Sequence, residues 1–262
     1  MIERAERGDR AVLLHPQFRL TGPESLDEFQ ELARSAGVEV VVVLERAVPA
    51  GPALEDLLHD GVEVEGVLEL PPDYSSEDGP LPLVVELHGG PTSDTKYRFR
   101  FWIYGRTLLA SRGFALLSPN YRGSTGFGKA FTNAGNYEWA GKMHDDLIDA
   151  VNWAVKRRVT RSNSVAIMGG SYGGYATLVG LTFTPDTFAC GVDIVGPSSL
   201  VTLVESFPEY WKPFLEGTWF KYVGDPANPA DRQDMLERSA ISRVDDIKVP
   251  LLIGQGENDP RV

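Results

Sequence analysis

Two rhythms of apolar and polar positions run along this chain. "LPLVVELHGG" (residues 81–90), "FALLSPNYRGS" (114–124), "SVAIMGGS" (164–171) and "ACGVDIVG" (189–196) are dense apolar runs with turn residues at their ends. All four predict strands, and the denser run at 81–90 predicts a buried one. "DGVEVEGVLELPP" (60–72) alternates instead, as an antiparallel edge strand does, and "VPLLIGQGENDP" (249–260) closes the series. Between these runs the period lengthens. A helical stretch is predicted near Phe101 to Ser111, a helix over "DDLIDAVNWAVKRR" (145–158) with Asp145 and Asp146 near its positive end, and another from Tyr172. Ser199 to Asp246 reads as a longer irregular helical insertion. Strands alternating with helices predict an α/β chain: a mostly parallel sheet with helices on both faces.

The first part of the chain repeats this logic on a small scale. "AVLLHPQF" and "VEVVVVLE" read as strands, and "SLDEFQELARSAG" between them as an amphipathic helix with Ser25 as N-cap, Glu28 behind it and Gly37 as its stop. That is a βαβ unit. The proline- and glycine-rich "AVPAGP" (47–52) divides the chain into an N-terminal appendage, residues 1–52, and a main domain, residues 53–262.

Charge narrows the partners. With 37 acidic and 25 basic residues the net charge is −12. Such a surface repels phosphate backbones, so nucleic acid is not an expected partner. No apolar run reaches the length of a membrane span, and the charged start "MIERAERGDR" has no apolar signal core behind it. A soluble, cytoplasmic protein is expected. The single cysteine, Cys190, reads as a buried small hydrophobe. No cofactor or metal is expected. No His or Cys pair has ligand spacing, and "GSTGFGK" lacks the spacing of a phosphate loop.

The candidate chemistry centres on "VAIMGGSYGGYATL" (165–178). Gly169, Ser171 and Gly173 fit G-x-S-x-G, the turn that lifts a nucleophilic serine off the end of a strand. The glycines let neighbouring backbone approach, and the following helix aims its positive end at the serine. A tetrahedral intermediate needs N–H donors, and the backbone amides of Tyr172 and Gly90, in "LHGGP", are the candidates. Asp259, past the last predicted strand, is the candidate acid of a triad, with Glu257 as the fallback.

"LHGGP", "SPNYRGSTGFGKAF", "GGSYGGYATL" and "GQGENDPRV" together resemble the prolyl oligopeptidase family of serine peptidases, in its acylaminoacyl-peptidase and dipeptidyl-aminopeptidase branch, over about Gly61 to Val262. The resemblance implies an α/β-hydrolase fold and cleavage of short peptides through an acyl-enzyme on Ser171. Asp259 is then the triad acid, and Tyr172 and Gly90 the oxyanion donors. It sets Asn120 and Arg122 of "NYRGS" beside the substrate, where they shape the pocket. It also implies a histidine a few tens of residues after the acid. The four histidines, His15, His59, His88 and His144, all precede Ser171. His88 reads as a loop-shaping residue and His144 as a surface or capping one. The chain is therefore expected to be a hydrolase domain without its last strand and helix, whose bare sheet edge invites a homo-oligomer. A carboxylesterase on the same fold and a non-catalytic fragment or chimera are the alternatives. The aromatic stretch "ESFPEYWKPFLEGTWFKY" (205–222) is either a pocket for an apolar side chain or a packed lid.

Overall fold

The computed structural model describes residues 10–13, 39–43, 57–59, 62–71, 74–95 and 108–259. The strands are β1 (Arg10–Leu13), β2 (Glu39–Val43), β3 (Leu57–His59), β4 (Val62–Val64), β5 (Gly66–Glu69), β6 (Leu83–Leu87), β7 (Ala115–Pro119), β8 (Val165–Gly170), β9 (Cys190–Ile194) and β10 (Leu251–Gly254). Six of them form one sheet in the order β10-β9-β8-β6-β7-β5. All neighbours are parallel except β5, which runs antiparallel to β7 at one edge. Every residue of β6 and β7 is buried, and their two polar side chains pair, Ser118 Oγ donating to Glu86 Oε2 at 2.9 Å. β10 is the other outer strand, and its Leu252 and Ile253 are exposed.

The helices are α1 (Lys129–Asn133), α2 (Lys142–Lys156), α3 (Tyr172–Phe183), α4 (Leu200–Glu205), α5 (Trp219–Tyr222) and α6 (Pro229–Glu237). α3 is buried almost all round, so it reads as uniformly apolar rather than striped. α2 is striped, and it buries Met143, Leu147, Ala150, Val151 and Ala154 while its other face stays wet. Trp139, Tyr121 and Tyr175 are the largest fully buried side chains among the described residues.

Several expectations are corrected. The alternating run at 60–72 is two strands, not one: β4 pairs with β3 in its own two-stranded sheet, and β5 joins the main sheet. The chain turns at Glu65, whose carbonyl accepts the Asn120 N–H at 2.7 Å. Asp146, near the positive end of α2 as expected, is fully buried against Arg122. His144 is buried rather than at the surface, with Nε2 3.1 Å from Thr184 Oγ1. Cys190 is half-buried, not buried. β1 and β2 pair in parallel, as a βαβ unit demands, but the helix expected between them lies outside the described residues, as does the boundary at 47–52. Of the stretch predicted helical near residues 101–111, Leu108 to Ala110 are described and helical. No helix of the described residues is long and apolar enough to cross a membrane.

Candidate active site

Parallel strands that start on one side end together on the other, and the turns after those ends form one edge of the sheet. Each candidate site residue lies there. His88 and Gly90 follow β6, Asn120 and Arg122 follow β7, Ser171 follows β8 and Asp259 follows β10.

Ser171 has φ 58° and ψ −118°, a left-handed conformation that a side chain strains to adopt. It is exposed, whereas the eleven residues from Tyr172 to Thr182 are buried. Its N–H donates to the Ile194 carbonyl at 2.9 Å, and its own carbonyl accepts from Tyr175 at 3.0 Å as α3 begins. Two glycines make this turn possible. A methyl group on Gly169 would stand 2.5 Å from the Gly173 carbonyl carbon, and one on Gly173 would collide with the Leu87 carbonyl. Strand, elbow and helix therefore touch backbone to backbone.

The Tyr172 amide opens α3, where the first N–H groups have no partner within the helix. Gly90 is exposed at φ 128° in the turn after β6. These are the two amides expected as oxyanion donors. The turn that carries Gly90 is braced from inside. Tyr121 donates to the His88 carbonyl at 2.6 Å and stacks on the His88 ring with centroids 4.5 Å apart. The His88 Nε2 is 3.0 Å from Ser124 Oγ, and its Nδ1 is 3.0 Å from both the Gly89 carbonyl and the Tyr121 hydroxyl. Both ring nitrogens serve the turn. Burial pushes the phenols of Tyr121 and Tyr172 well above their ordinary value, so both stay neutral.

Asn120 is fully buried and accepts the Thr95 N–H at 2.9 Å through Oδ1. Arg122 is held by Asp146 through Nε at 2.9 Å and Nη2 at 2.7 Å, and its backbone N–H reaches the same carboxylate at 2.9 Å. The guanidinium is turned inward and secures the turn after β7 to α2. Asp259 is half-buried in a turn closed by its N–H on the Gly256 carbonyl at 3.2 Å. Behind the elbow, Asp193 on β9 is buried and accepts the Gly196 N–H at 2.9 Å. Burial raises its pKa to about 6, against the lowering effect of that bond.

A cavity of about 440 Å³ opens beside Gly90. Gly90 and Thr92 line one side, and Tyr210, Trp211, Phe214 and Trp219 line the other. The aromatic cluster was legible in the sequence, but not that it meets Thr92. Nor did any local signal single out Trp139, which packs edge-on to the Tyr172 ring with centroids 4.5 Å apart. Among the described residues no three His, Cys, Asp or Glu side chains converge as a metal site would need.

The chain is similar to known proteins. Dipeptidyl aminopeptidase BIII of Pseudoxanthomonas mexicana is 63% identical over 185 residues, covering 71% of this chain and 26% of that protein. The acylamino-acid-releasing enzyme of Mus musculus is 29% identical over 225 residues, covering 83% of this chain and 29% of that one. A puromycin-hydrolyzing peptidase of Mycobacterium tuberculosis superposes with a TM-score of 0.72 at 30% identity, over 84% of this chain and 33% of that one. The fold is accordingly that of the α/β-hydrolase peptidases. The chain spans between 24% and 34% of the length of the first curated relatives it matches. The profile of the prolyl oligopeptidase family matches residues 99–262, from ahead of β7 through the elbow to the Asp259 turn, and the chain belongs to that family.

Proposed function

We propose that this chain carries the nucleophile, the oxyanion donors and the acid of a serine peptidase acting on short peptides, of the dipeptidyl-aminopeptidase or acylaminoacyl type. The observation that carries this reading is the exposed Ser171, held at φ 58° at the end of β8 against the Gly89–Gly90 turn. Ser171 Oγ attacks the scissile carbonyl carbon, and its proton passes to an imidazole base. The carbonyl oxygen gains the negative charge and is met by the Tyr172 and Gly90 N–H groups. Collapse of the intermediate breaks the C–N bond, and the amine leaves with the base's proton. Water then repeats the sequence on the acyl-enzyme and frees Ser171. Asp259 orients the base and stabilises its cation. The base is neither His88, whose ring serves the turn, nor His144, whose ring faces Thr184. Asn120 and Arg122 hold the pocket wall from within, and the aromatic cavity takes an apolar substrate side chain. The acidic composition supports the absence of a nucleic-acid partner.

The test is labelling of the native protein with a fluorophosphonate, read by intact mass and peptide mapping. One adduct on Ser171, absent from Ser171→Ala, is the expected result. An adduct elsewhere overturns the reading; none means that Ser171 stands without its base. Aminoacyl and dipeptidyl anilides tested beside the matching esters then separate a peptidase from an esterase.

A further inference from the structure

The aromatic cavity and the oxyanion donors are joined by one packed row of rings. Trp219 lines the cavity and meets Trp139 with centroids 6.1 Å apart at 66°. Trp139 meets Tyr172 at 4.5 Å and 77°, edge to face. Tyr172 meets Tyr121 at 5.1 Å, and Tyr121 stacks on His88, two residues before Gly90. The row thus runs from the cavity wall to the residue that offers one donor amide, and on to the turn that offers the other.

Trp139 is the link on which the row depends. It is 1% exposed, and its indole N–H has no partner among the described residues. Packing alone sets its orientation, so a shift of the ring breaks no hydrogen bond. Its neighbour Tyr175 is held more firmly, since its hydroxyl donates to the Arg238 carbonyl at 2.7 Å. A close-packed interior transmits displacement rather than absorbing it.

We propose that Trp139 is a positioning residue that couples filling of the aromatic cavity to the placement of the Tyr172 oxyanion donor. This rests on the serine-peptidase reading above. A large apolar side chain presses on Trp219, Trp139 carries the displacement to Tyr172, and the amide is seated for the tetrahedral oxygen. A small side chain leaves the row relaxed. Side-chain binding energy is thereby realised at the reacting centre, and preference for large side chains falls in kcat more than in KM. Gly90 borders the cavity directly, so its response does not pass through Trp139.

That difference supplies the experiment. The native protein, labelled with 15N in tyrosine and glycine, is titrated with N-acetyl-L-phenylalaninamide, and the Tyr172 and Gly90 amide shifts are followed. Both amides move in the unaltered protein. In Trp139→Phe the Tyr172 shift at saturation falls by about twofold or more, while the Gly90 shift and the probe affinity hold to within about threefold. A Tyr172 shift that survives unchanged in Trp139→Phe overturns the coupling and leaves the peptidase reading intact. If neither amide responds in the unaltered protein, the cavity is not the side-chain site and the coupling falls with it, whereas Ser171 labelling still judges the peptidase reading by itself. Circular dichroism checks folding. Should Trp139→Phe not fold, Trp219→Phe cuts the same contact from the cavity side, with the same two amides as readout.

Discussion

Gly89 lies directly against Ser171: a methyl group on the Gly89 Cα would stand 3.3 Å from Ser171 Cβ and 3.0 Å from the Gly170 carbonyl oxygen. The turn that carries one proposed oxyanion donor and the elbow that carries the proposed nucleophile are therefore in contact without a side chain between them. Gly89→Ala forces them apart by a few tenths of an ångström. Reactions that depend on the mutual placement of such groups lose rate steeply with small displacements. We expect the rate of Ser171 phosphonylation to fall about 10- to 100-fold, with a stability loss of about 1–3 kcal/mol. Stopped labelling and thermal melts measure both. An unchanged labelling rate would show that turn and elbow adjust independently.

Asp146 and Arg122 form an ion pair inside the core, with side chains 0% and 3% exposed. Removing one partner strands the other charge away from water. Asp146→Asn is expected to cost about 3–5 kcal/mol, seen as a lower urea midpoint at unchanged slope. Replacing both residues with apolar ones of similar volume should recover much of that loss. A single replacement that leaves the midpoint in place would mean that water reaches the guanidinium.

Two buried groups pull stability in opposite directions as pH changes. Burial lowers His144 from 6.5 to about 4, so between these values the unfolded chain binds the extra proton and stability rises with pH. The span corresponds to about 3 kcal/mol. Burial raises Asp193 from 3.8 to about 6, so there the folded chain binds the extra proton and stability falls as pH rises. Over the shared window the two slopes oppose, and the unaltered protein's dependence on pH is flattened. His144→Gln, which keeps a donor for Thr184, should unmask the falling slope, and Asp193→Asn the rising one. Urea midpoints at about pH 4.5 and about pH 6 decide it. Parallel pH profiles for both variants would remove these groups as the cause.

The cavity wall makes a prediction about selectivity. Phe214 lines it while remaining 67% exposed, so its loss alters the cavity without opening the core. Phe214→Ala should lower kcat/KM for substrates with a large apolar side chain about 10-fold and leave the smallest side chains nearly unaffected. Equal losses across a side-chain series would mean that the wall is a lid rather than a pocket.

Much of this was legible without coordinates. The buried strand β6 announces itself because a strand covered on both faces is dense in apolar residues. The elbow at Ser171 announces itself because a strand, a turn and a helix that touch by backbone admit only glycine at Gly169 and Gly173. These are constraints between near neighbours in the chain, and sequence records them directly. Tertiary structure alone decided the rest. Asp146 and Arg122 are 24 positions apart, and His144 and Thr184 are 40 apart. A polar residue on a helix reads as solvated until a distant partner is brought to it, which is why His144 read as a surface or capping group and is buried, and why the Arg122 partner of Asp146 was not legible. The cavity is likewise a meeting of the turn after β6 with the aromatic segment around α5, and Trp139 links it to Tyr172. Local pattern determines which residues can line a core or end a strand; only packing of the whole sheet determines which of them meet.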